Sequence, residues 1–182
     1  MSERPSAATA FLILVRDLCQ LRRGPENMPY SPALLGLLIA ASVILDLMTG
    51  ALTDDASNML ARSLLSTALV LGLCWIALAV RRLSSRYVQT ATAVIACSIA
   101  FSLLILPIVW LASPLPATPE QLTPLQMLAS WVALAILVWS LVVTAHILKH
   151  ALEAPFLLGF ALALAWWVAV HATDQALFGA AA

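Results

Sequence analysis

Apolar residues run in five blocks along this chain, at about 32–52, 60–80, 87–110, 125–148 and 155–178, separated by short polar or proline-bearing stretches. Each block holds roughly the 20 residues an α-helix needs to cross about 30 Å of hydrocarbon. The separating stretches are short, which makes neighbouring helices antiparallel and packed together. Start signals agree with this reading. Ser31 precedes Pro32 and Thr123 precedes Pro124, in each case a capping hydroxyl before a residue with no N–H to satisfy. Pro107 falls near the end of the third block and is expected to kink or finish that helix. Thr53–Ser57, with Asp54 and Asp55, reads as a short turn. Ser113–Pro124, with four prolines, reads as the longest connection, too extended for a folded domain.

Ahead of the first block the period changes. Phe11, Leu14, Val15, Leu18 and Leu21 follow the spacing of one helical face, while Arg16, Gln20 and Arg23 share the opposite face. Gly24-Pro25 ends the pattern. This predicts an amphipathic helix over about residues 6–23, lying in the membrane plane on an anionic leaflet; packing on the bundle's own loops is the alternative. Phe11–Val15 is too short for a secretory leader, and Arg16 and Asp17 interrupt it. The expected fold is therefore all-α, a polytopic membrane bundle of five transmembrane helices (residues 32–182) preceded by a cytoplasmic N-terminal segment with an interfacial helix (residues 1–31).

Charge sets a polarity on this layout. Of the nine Lys and Arg residues, Arg4, Arg16, Arg22 and Arg23 precede the first block, Arg81, Arg82 and Arg86 separate the second and third, and Lys149 separates the fourth and fifth. Only Arg62 is out of step. Cationic loops stay in the cytoplasm, so the N-terminus is expected inside and the C-terminus outside, with Arg22, Arg23, Arg81, Arg82, Arg86 and Lys149 as cytoplasmic anchors. The chain is 63% hydrophobic and 10% charged, with a mean hydropathy of +0.99, too few charges to cover a water-facing surface. Lipid is the expected surrounding and a bacterial inner membrane the expected location. A net charge of zero and the lack of a basic patch interleaved with aromatics argue against nucleic acid as a partner. Cys19, Cys74 and Cys97 are three and widely spaced, which forms neither a disulfide framework nor a zinc pattern.

Few residues in the blocks carry chemistry. Asp46, with Ser42 one turn before it, and Arg62 fall at the same outer level of a tight hairpin. They are expected to pair as a clamp, with an ion or proton site at the outer mouth as the sharper alternative and simple snorkelling as a third. His146 and His150 share a face at the inner end of the fourth block, near Glu153, and His171 lies towards the opposite side. The set lacks partners at one depth, so no metal and no cofactor is expected. Small and hydroxyl residues form stripes: Ser63, Thr67 and Cys74; Ser98 and Ser102; Ser130, Ser140 and Thr144; and the spaced pairs Gly36 with Ala40 and Gly159 with Ala163. They read as helix-packing faces, with a polar pathway as the alternative. No catalytic constellation, P-loop, HExxH or dinucleotide glycine motif is present, and no enzymatic activity is expected.

Two stretches carry a resemblance. Arg86-Tyr87-Val88-Gln89-Thr90, leading into a serine-bearing helix that ends at Leu106-Pro107, is similar to the middle of bacterial Yip1-like proteins. Leu21-Arg22-Arg23-Gly24-Pro25, leading to Pro29 and Ser31-Pro32, is also similar to bacterial membrane proteins of this sort. The layout of cytoplasmic N-terminal segment, five spans and outward C-terminus resembles the Yip1 family. The resemblance implies a non-enzymatic scaffold or accessory subunit that contacts other membrane proteins or itself, and it carries over no functional residue. The alternative expectation is a small transporter or channel component with a polar pathway near Asp46 and the hydroxyl stripes.

Overall fold

The computed structural model describes residues 6–51, 58–113 and 122–179, and no strand occurs among them. The turn expected at Thr53–Ser57 and most of the proline-rich connection lie outside the described residues. Six α-helices follow one another: α1 (Ala7–Cys19), α2 (Pro32–Ala51), α3 (Met59–Val80), α4 (Tyr87–Ala112), α5 (Pro124–Ala151) and α6 (Phe156–Phe178). Helices α2 to α6 are long and apolar enough to cross a membrane. Their starts use the signals in the sequence. The Ser31 hydroxyl accepts from Leu34 N–H at 3.2 Å. Thr123 and Gln126 cap each other reciprocally, which satisfies two otherwise orphaned donors.

Some boundaries move. Pro107 does not finish its helix; α4 continues to Ala112. α1 ends at Cys19, short of Gly24-Pro25. There Leu21 takes a left-handed backbone with φ 60°, and Arg22 N–H donates to the Asp17 carbonyl at 2.9 Å, a six-to-one closure that satisfies an end carbonyl. The same turn closes α3 at Arg82 (φ 59°) and α5 at Glu153 (φ 50°). None of the three is glycine, so none is announced by the residue that usually marks this conformation.

The five long helices close into a ring. α2 touches α3, α3 touches α6, α6 touches α5, α5 touches α4, and α4 returns to α2, while α3 and α4 also meet across the ring. One end of the ring is tight. α4 is buried without a break from Thr90 to Cys97, and Cys74, Leu78, Ala145 and Leu148 join α3 and α5 with Ala163 and Trp166 of α6. Toward the other end burial lapses: no residue of α4 between 98 and 111 is buried, and only Ala129 is buried between 125 and 142.

Gly159 sits at the tight end, where α6 crosses α5. A Cβ there would lie 2.5 Å from the Ala145 carbonyl oxygen and 3.1 Å from Lys149 N. The absence of a side chain is what lets the two backbones approach. Gly36 is different. Nothing lies within 4 Å of a Cβ built on it, and Ala40 is exposed as well, so that pair faces outward among the described residues.

Helix α1 docks against the bundle. Val15 and Leu18, at 8% and 1% exposure, share a core with Ala93, Val94, Ala96 and Cys97 of α4 and with Val143 and Ile147 of α5. The face expected to meet lipid is thus largely spent on protein, and the residues left exposed include Leu12 and Ile13. Backbone carbonyls at the exit of α1 find side-chain donors on the bundle. Trp139 Nε1 donates to Cys19 O at 3.1 Å, His146 Nε2 to Arg23 O at 3.1 Å, and Gln89 Nε2 to Met28 O at 2.8 Å. A carbonyl only accepts, so Nε2 of His146 carries the proton. Asp17, only 8% exposed, is paired with Arg16 at 3.1 Å and Arg23 at 3.2 Å. A carboxylate this covered is tolerated because both cations reach it.

Cys19 also meets α4. The Cys97 thiol hydrogen-bonds the Cys19 thiol and holds it below the ordinary thiol pKa, against the opposing effect of burial.

Candidate functional site

The loosely packed end of the ring encloses a cavity of about 430 Å³. Hydroxyls from four helices face it: Ser42 on α2, Ser66 and Thr67 on α3, Ser98 and Ser102 on α4, Ser140 and Thr144 on α5. α6 supplies Trp166, Trp167 and His171. The spacing that places each hydroxyl one or two turns from the next is a property of the sequence, but the surface they meet is not. Thr67, Ser98, Ser102, Ser140 and Thr144 were expected at helix-to-helix contacts. They line a shared cavity, the setting that the alternative reading of a polar pathway describes. Ser63 belongs to the mouth described below, and Ala163, buried at 2%, packs at the cavity's edge.

Most of these hydroxyls are already committed as donors. Ser42, Ser66, Ser98 and Ser140 donate to the carbonyls of Ile39, Ser63, Ile95 and Leu137 at 2.8–3.0 Å, and Thr144 donates to Ser140 O at 2.9 Å. A hydroxyl has one hydrogen and two lone pairs, so these side chains offer the cavity acceptors. Trp166 is only 8% exposed, and its indole Nε1–H is buried with no hydrogen-bond partner among the described residues.

A second hollow of about 280 Å³ adjoins the first and shares Asp46, Ser66, Val170 and His171 with it. It forms a charged mouth between α2, α3 and α6. Here the expected Asp46–Arg62 pair is corrected. Arg62 meets Asp174 of α6 in a two-point contact, Nε to Oδ1 at 3.0 Å and Nη2 to Oδ2 at 3.1 Å. Asp46 accepts from the Ser63 hydroxyl at 2.6 Å. Helical rotation is the reason: successive residues are about 100° apart around the axis. Ser63 faces α2 and takes Asp46, which turns Arg62 toward α6 and the ring of Phe178, 5.5 Å from its guanidinium carbon. The planar fork of an arginine suits a carboxylate approached edge-on.

Asp174 is the mouth residue that sequence reading missed. The signal was available, since Arg62 lies three residues inside the start of α3 and Asp174 four residues before the end of α6, a match in depth. His171, one turn before Asp174, directs Nδ1 at the Trp167 carbonyl at 3.0 Å. The carbonyl accepts the hydrogen bond from Nδ1–H, so in the tautomer with one ring proton Nε2 is the acceptor.

The basic residues gather at the tight end. Arg81 Nη2 donates to Leu152 O at 3.2 Å and Arg86 Nη2 to Glu153 Oε1 at 2.6 Å, while Arg23 is held by Asp17. Half of the six expected anchors thus also fasten the loops of the fold. Glu26, Arg86, Gln89, His150 and Glu153 line a separate hollow of about 340 Å³ there. His146 and His150 stack edge to face with ring centroids 4.5 Å apart. Among the described residues no group of three or more His, Cys, Asp or Glu side chains is placed to hold a metal ion. Comparison with known proteins finds no family model, no curated protein and no solved structure that matches this chain.

Proposed function

We propose that this protein crosses a bacterial inner membrane five times, N-terminus in the cytoplasm and C-terminus on the outer side, and that its chamber admits a small solute from that side as part of a transporter or channel. Five helices of the right length and hydropathy and the one-sided arginines support the topology. The observation that carries the function is the convergence of hydroxyls from four helices on one cavity that continues into a charged mouth. Its volume falls in the range of about 300–1,000 Å³ usual for small-molecule sites. A Yip1-like layout belongs to the same proposal. The scaffold reading ranks second: the apolar face of α1 is occupied by α4 and α5, which leaves the exposed Gly36 and Ala40 of α2 for another membrane protein or a second copy.

Proteoliposomes test the chamber. Wild-type protein is expected to take up small solutes above empty liposomes, and Ser140→Trp, which fills the cavity, to abolish that uptake while the protein still purifies as a folded species. Uptake equal to empty liposomes across cationic, neutral and anionic solutes would overturn the proposal.

A further inference from the structure

Resting on the chamber reading, we infer that the solute class is an organic monocation: a protonated amine with N–H donors on a compact apolar body. Three features of the wall select it.

Hydrogen-bond polarity comes first. Ser42, Ser66, Ser98, Ser140 and Thr144 have given their protons to their own helices, so they turn lone pairs toward the ligand. His171, with Nδ1 bonded to Trp167 O, adds another acceptor at the neck. Trp166 Nε1–H and the hydroxyls of Thr67 and Ser102 remain as donors on the same wall, so an anion would find some partners there, but fewer than the lone pairs it would meet, at the cost of desolvation. An ammonium supplies the missing donors.

Charge comes second. In the mouth the guanidinium of Arg62 is matched by the carboxylate of Asp174. Asp46 is a further carboxylate, held by a neutral hydroxyl. It borders both hollows, so it stands where the mouth passes into the chamber. Opposite charge at this neck draws a cation in and repels an anion.

The remaining surface comes third. Val70, Ile95, Phe101, Leu141 and the Trp167 ring give the chamber a mainly apolar wall. This suits a hydrocarbon body, and an aromatic face also attracts a cation. A sugar or other polyol would bring many donors and acceptors but little surface to bury against these side chains.

The test uses the full chain in lipid nanodiscs, with empty nanodiscs as blank. Three probes share one shape and differ in charge: 2-phenylethylammonium, 2-phenylethanol and 3-phenylpropanoate. Equilibrium binding is expected to rank the ammonium first and the carboxylate last. Asp46→Asn, which keeps an oxygen to accept from Ser63, is expected to weaken the ammonium at least about tenfold and to leave the alcohol unchanged. Asp46→Glu should restore much of the loss. Ser140→Trp should remove binding of both. Ammonium binding that is unchanged in Asp46→Asn, or no tighter than the alcohol, overturns the cation inference even where Ser140→Trp abolishes both. Binding indifferent to Ser140→Trp overturns the chamber itself, and the inference with it.

Discussion

Gly159→Leu is expected to cost the folded state at least about 3 kcal/mol, the upper end of what overpacking does in a filled core. The obstruction is backbone, not a side chain that could swing away. A Cβ at 159 already lies 2.5 Å from the Ala145 carbonyl oxygen, and the rest of a leucine has nowhere to go without parting α5 from α6. Those two helices form one wall of the ring, and Leu148, Ala151, Ala163 and Trp166 are buried in the core they share. Separation would therefore open the tight end as a whole. Gly36→Ala is the control, since open space surrounds that position; it should not destabilise, and the better helix former should add up to about 1 kcal/mol. Unfolding of the detergent-solubilised protein compares the two. Equal stability of Gly159→Leu and wild type would show that α5 and α6 are not in contact at that point.

Leu18→Ala is expected to destabilise by about 2–5 kcal/mol, as the loss of a fully covered leucine does. Leu18 is 1% exposed, and the cavity left behind would be lined by α4 and α5. Leu12→Ala, on the same helix at 66% exposure, should have almost no effect. The contrast separates a docked α1 from one lying on the lipid surface, where both leucines would contribute about equally to membrane contact. The same comparison bears on how the protein meets partners, because a helix held this way offers a partner little of its apolar face.

The helices were legible because each is a long uninterrupted apolar run of the length that crossing hydrocarbon takes. Starts were legible for a similarly local reason, as Ser31 and Thr123 cap the helices they precede. Ends were harder. Leu21, Arg82 and Glu153 take the left-handed turn without being glycine, so α1 read four residues too long. Which side chains meet across the ring was harder still. A serine on a helix face has the same spacing whether it faces another helix or an opening, so Ser98 and Ser140 read as packing. Arg62 read as the partner of Asp46 because the hairpin places them close in the chain. Its partner Asp174 is 112 residues away and comes near only once α3 and α6 are neighbours. Ring order is a tertiary fact, and no local pattern in the five blocks encodes it.

The proposed chamber opens on the face opposite the arginine-rich loops. Substituted-cysteine labelling tests this most directly, with Cys19, Cys74 and Cys97 replaced by alanine and an impermeant maleimide added to intact cells. Ser140→Cys should be labelled, and a bulky solute that fills the chamber should slow the reaction. Ser84→Cys, in the turn between α3 and α4, should react only after the membrane is opened. Labelling of Ser84→Cys in intact cells, with Ser140→Cys unreactive, would contradict both the orientation and the chamber.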